Sequence, residues 1–167
     1  MDTARAEIAE LEKGQRELAG AKRASYWASQ AETQVLAARA WVELAAKNTD
    51  EAITLMRRAA ALESTADKEA VTPGEVLPAG DLLGDMLLET GQPSEALAAF
   101  EGVLVGSPNR LNTLYGAGFA AERAGDVAKA MKYYAQLTQV AAAGDAGVSR
   151  IDHARAFVAK NLVSRLE

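Results

Sequence analysis

The chain has 167 residues, of which 49% are hydrophobic and 25% charged, the balance of a folded protein able to bury most of its apolar surface. A formal net charge of -5, with no run of Lys or Arg, argues against nucleic acid and anionic membrane surfaces as partners. Cysteine is absent, which excludes disulfides, thiolate nucleophiles and thiolate zinc sites and fits either a cytoplasmic or a periplasmic home. No stretch approaches the roughly 18 uncharged apolar residues of a membrane span, and the start MDTARAEIAELEK lacks the basic head and apolar core of a targeting segment.

In chain order, residues 2 to 20 predict a charged amphipathic helix with Ile8, Leu11 and Leu18 on one stripe. Residues 25 to about 47 predict a long helix containing Trp27, Val35, Ala38 and Trp41, packed antiparallel to the first. The stretch NTDEAITLMRRAAALE predicts another helix, opened by a start signature from Asn48 to Glu51. Thr72, Pro73 and Gly74 mark a loop over residues 67 to 76.

Beyond the loop the sequence repeats itself. Gly84 and Gly118, Gly91 and Gly125, Ala96 and Ala130, and Phe100 and Tyr134 are each separated by 34 residues. The small residue at Gly84 or Gly118 lets a second helix approach closely, and Gly91 and Gly125 end a helix in a left-handed conformation without steric cost. Pro93 is tolerated in a first turn, Ala96 and Ala130 make the second close contact, and Phe100 and Tyr134 are the knobs that fill the seam. At the C-terminal end Ser149 and Asp152 look like a capping box, and Ile151, Ala154, Val158 and Leu162 recur on one face.

These positions resemble the tetratricopeptide repeat, with one unit at 77 to 110, a second at 111 to 144, and a degenerate unit at 33 to 66. In the degenerate unit Ala40, Ala52 and Ala59 fit, but Arg39 and Glu43 replace apolar residues. The resemblance implies an all-α fold: a single domain over residues 1 to 167, with antiparallel helix pairs stacked as a short right-handed solenoid. Residues 1 to 32 and 145 to 167 supply the ends, giving about eight helices and no sheet. The stretch from Val71 to Asp126 also resembles the C-terminal part of longer bacterial tetratricopeptide proteins of undefined function, which implies further repeats upstream.

No constellation for catalysis stands out, and no cofactor or metal is expected. The single histidine, His153, adjoins Asp152, but neighbours on a helix point about 100 degrees apart, so a structural or solvent role is expected. Gly116 and Gly118 have the spacing of helix-packing glycines and not of a phosphate loop. The resemblance points instead to a binding groove lined by the first helix of each unit. Its positions are Pro78, Asp81, Asp85, Leu88 and Glu89, then Asn112, Tyr115, Phe119, Glu122 and Arg123.

Asp81, Asp85 and Glu89 form an acidic strip four residues apart, which is either a contact surface or a solvated face. Tyr115 and Phe119 are either groove anchors or buried against an end helix. The basic and amide residues of the family's carboxylate clamp are missing, so the implied partner is a protein or peptide of basic or apolar character. The expected function is a non-catalytic interaction module. The alternatives are a structural module that self-associates as a homodimer through helix 2 to 20, or an accessory domain of a larger catalytic protein.

Overall fold

The computed structural model describes residues 2–20, 25–66, 77–144 and 147–163. Among them run eight helices and no strand: α1 (Asp2–Ala19), α2 (Ser25–Ala45), α3 (Thr49–Thr65), α4 (Ala79–Glu89), α5 (Pro93–Gly106), α6 (Leu111–Arg123), α7 (Val127–Val140) and α8 (Ser149–Val163). The loop expected over 67 to 76 lies outside the described residues. None of the described helices is long and apolar enough to cross a membrane. The chain divides into two compact units, Met1–Leu83 and Gly84–Glu167, with the division falling inside α4.

In the first unit α1 packs on α2 and α2 on α3. Ile8 is the buried residue of α1. Leu11, expected on the same stripe, is 44% exposed. The seam beside it is polar instead: Glu12 pairs with Arg39 of α2 and lies 3.9 Å from Arg16. That contact explains why position 39 carries a cation where an apolar residue was expected. Glu43 has its own partner, accepting a hydrogen bond from Asn48 Nδ2 at 2.7 Å. Asn48 therefore does not cap α3 with its side chain, contrary to the start signature. Ala40, Ala52, Met56 and Ala59 are fully buried.

In the second unit α5 packs on α6, α6 on α7, and α8 on both α7 and α6. The seams are set by aromatic rings against glycine. A Cβ added at Gly116 would lie 2.6 Å from the Phe100 ring, one at Gly84 would collide with the same ring, and one at Gly118 would lie 2.5 Å from Tyr134. Phe100 is 1% exposed and Tyr134 not at all, so neither ring has room to retreat.

The turns between α2 and α3, α4 and α5, and α6 and α7 share one backbone pattern. Asn48 N–H donates to Glu43 O, Gln92 N–H to Leu87 O and Asp126 N–H to Ala121 O, at 2.8–2.9 Å. Lys47, Gly91 and Gly125 each precede that donor in a left-handed conformation, at φ 70, 78 and 79 degrees. This is the Schellman closure, which satisfies the last carbonyls of a helix. Glycine adopts it freely, whereas Lys47 does so under strain.

The start of α8 differs from expectation. Val148 O accepts from both Ile151 N–H and Asp152 N–H, which places Ser149 inside the helix and not at its cap. Asp152 faces Arg155 at 3.6 Å. Ile151 and Ala154 are buried, but Leu162, expected on the same face, is 51% exposed.

Three stability outcomes follow from the packing and the backbone. Gly118→Ala should destabilise the protein by about 1–3 kcal/mol, because the new methyl group overpacks a seam that cannot yield. Gly102→Ala, at an exposed helical site with nothing within 4 Å, should stabilise it by about 0.5–1 kcal/mol. Lys47→Gly should also stabilise, by about 0.5–1 kcal/mol, by relieving the left-handed lysine. Urea denaturation of the three variants measures all of these.

Candidate functional site

The expected groove positions divide sharply by environment. On α4, Asp85 and Glu89 are exposed and Leu88 is half-buried, whereas Asp81 is buried with Pro78 and Ala79 at the start of the helix. There Ala79 N–H donates to Glu63 Oε2 of α3 at 2.8 Å, so the first turn of α4 faces packed protein. The acidic strip of the sequence is thus presented at two of its three positions.

On α6, Asn112, Tyr115, Phe119 and Glu122 recur at intervals of three and four and share one face. Asn112 is exposed, as is Arg123 beside that face, and the other three are half-buried. α8 lies against them. Tyr115 and Phe119 stack with ring centroids 5.9 Å apart, and the His153 imidazole meets them edge-on at 5.9 and 6.1 Å. The Arg150 guanidinium stands 5.3 Å from the centre of the Tyr115 ring, and its Nη1 lies 3.4 Å from Asn112 Oδ1. Phe157 meets Tyr134 edge-on at 5.1 Å.

Hydrogen bonds tie these rings together. Tyr115 Oη is 3.2 Å from His153 Nδ1, His153 Nε2 is 3.5 Å from Glu122 Oε2, and the Tyr134 hydroxyl donates to the same carboxylate oxygen at 2.8 Å. With the imidazole proton on Nε2, the Tyr115 hydroxyl donates to Nδ1, while Glu122 Oε2 accepts from Tyr134 and stands near Nε2 without a hydrogen bond to it.

A carboxylate, an imidazole and a phenol in line have the order of a proton relay, but the phenols are tuned the wrong way for one. Burial pushes the Tyr115 phenol above its ordinary value, against the pull of the Arg150 charge. Burial, then the hydrogen bond to Glu122, pushes Tyr134 well above its ordinary value too. Both phenols therefore stay protonated, as hydrogen-bond donors and not as bases or nucleophiles. Chemically, the arrangement can hold a helix and present aromatic surface.

A second polar cluster bridges α5 and α7. The Tyr133 hydroxyl donates to Glu101 Oε1 at 2.7 Å, and Lys129 Nζ lies 2.8 Å from the same oxygen. Burial alone would raise the Glu101 carboxyl, but the hydrogen bonds from Lys129 and Tyr133 outweigh it and hold it below the usual carboxylate range. In the first unit a cleft of about 390 Å³ lies over Ile8, Val42 and Leu55, rimmed by Arg5, Arg39 and Glu51. No group of three or more His, Asp or Glu residues among the described residues is arranged to hold a metal ion.

Sequence reasoning brought Tyr115, Phe119 and Glu122 to one face and left open whether an end helix covers the aromatics. It missed His153 and Arg150 as the groups that engage them, and Phe157, which meets Tyr134 beside them. The available signal was the four-residue spacing of His153 and Phe157 on the last helix, which places two rings on one face.

Residues 112–140 match the family model described as Tetratricopeptide repeat. The match covers α6 and α7 almost entirely, including Gly118, Gly125, Ala130 and Tyr134, and supports a tetratricopeptide-like protein. No curated protein matches the chain.

The raised phenol of Tyr134 carries a pH signature. A group whose folded-state value lies above its unfolded one contributes stability that is complete below the unfolded value, about 10 for tyrosine, and is lost as pH rises beyond it. Tyr134→Phe should therefore flatten the fall in stability between pH 9.5 and 11, while lowering stability at pH 7 by about 0.5–1.5 kcal/mol through the lost hydrogen bond. Urea midpoints across that pH range provide the check.

Proposed function

We propose that the chain is a non-catalytic module that binds a protein or peptide along the first-helix face of its repeats. Asp85, Leu88 and Glu89 of α4 and Asn112, Tyr115, Phe119, Glu122 and Arg123 of α6 are the contact residues. The observation that carries this reading is the tetratricopeptide match over residues 112–140, a repeat that generally mediates protein interactions. Asp81, being buried, is left out of the contact set.

The chemistry of the face specifies the partner. Asp85 and Glu89 are exposed, one helical turn apart, in a chain of net charge -5, and Leu88 lies next to Glu89 on a half-buried apolar spot. A basic side chain beside an apolar one complements that arrangement, with charge guiding approach and the apolar group giving residence. Panning a random-peptide library on the full chain should enrich peptides pairing Lys or Arg with an apolar residue. Glu89→Lys should weaken the best binder at least about tenfold, equivalent to about 1.4 kcal/mol. Enrichment of acidic peptides, or an affinity indifferent to Glu89→Lys, would contradict the reading.

A further inference from the structure

The α6 face is not empty in the folded chain. α8 lays Arg150, His153 and Phe157 against it and its neighbour α7: a cation over the Tyr115 ring, an imidazole within hydrogen-bonding distance of Tyr115 and near Glu122, and a phenyl ring against Tyr134. The three residues stand at i, i+3 and i+7, the spacing with which an amphipathic helix reads a groove. The attachment is polar and shallow for a structural helix. Only Ile151 and Ala154 of α8 are buried, whereas α6 buries seven residues and α7 four. Beneath it, Tyr115, Phe119 and Glu122 are half-buried, so removing α8 would uncover those two rings and the carboxylate, together with the part of the Tyr134 ring that His153 and Phe157 cover.

We infer that α8 is a built-in ligand of the α6–α7 face, and that the partner this face takes is an amphipathic helix of the same pattern. That pattern is a cationic residue, a hydrogen-bonding ring three positions on, and a phenyl ring four further. The inference rests on the reading that the first-helix face binds a partner, and it deepens that reading by stating what binds at α6 and what must leave first. α8 supplies the chemistry directly, since each of its three side chains meets a complementary group: guanidinium on phenol ring, imidazole between phenol and carboxylate, ring edge on ring face. Because the occupant is tethered, a partner competes against a high effective concentration and gains access when α8 is loosened.

The test uses the full chain and a fluorescently labelled synthetic peptide of residues 149–163, followed by anisotropy. Phe157→Ala loosens α8 at a half-buried position, and this variant should bind the peptide at least about tenfold more tightly than the unaltered chain. Adding Tyr115→Ala to the same variant should return binding to the original level or below. Circular dichroism confirms that each variant is folded. If Phe157→Ala is not, His153→Ala removes the contacts to Tyr115 and Glu122 and serves in its place. Equal affinity for the loosened and unaltered chains, or tight binding that survives Tyr115→Ala, would overturn the inference. Library peptides that depend on Glu89 but not on loosening α8 would overturn it while leaving the proposed function standing. Peptide 149–163 binding the loosened chain, with no Glu89-dependent binder, would do the reverse.

Discussion

The Phe100 ring lies where a methyl group on either Gly84 or Gly116 would collide with it, so one side chain fixes the approach of α5 to both α4 and α6. Tyr134 does the same for α7 and α6 through Gly118. A large flat ring against a bare backbone gains close van der Waals contact over its whole face and permits little sliding, since any shift brings the ring against a neighbouring Cβ. The equivalent seam positions in the first unit carry Ala40 and Met56, both fully buried. Where α2 packs on α3, a flexible thioether imposes less directional constraint than a ring against glycine.

The second consequence of the Tyr134 seam is chemical. Its ring packs in the core, but its hydroxyl emerges toward Glu122, and that carboxylate also faces His153 of α8. A packing residue thereby sets the polar half of the α6 face. The half-buried rings of Tyr115 and Phe119 supply the apolar half, and the raised phenols keep their protons, so the face is one of hydrogen-bond donors, ring surfaces and a single carboxylate.

Much of the fold was legible because its determinants are local. The left-handed turns were visible as Gly91 and Gly125, and the knobs as Phe100 and Tyr134 at one fixed offset. Where the reading failed, a long-range or competing contact decided. Asn48 gives its side chain to Glu43 instead of to the α3 terminus, and Lys47 takes a glycine's conformation with no local signal. Leu11 and Leu162 obey the helical period yet stay exposed, because α1 and α8 each bury only a short stretch of their length. The environment of His153 depends on α6 and α8 meeting across more than thirty residues of sequence; the spacing of His153 and Phe157 puts two rings on one face but does not say which helices that face meets.

α8 rests on the α6 face through His153. Because the chain holds a single histidine, its ring protons give unambiguous signals in a nuclear Overhauser spectrum. That placement gives cross-peaks from the His153 imidazole to the ring protons of Tyr115, Phe119 and Tyr134, all with ring centroids within 6.1 Å of it. An imidazole that shows no contact to any of the three rings would contradict it.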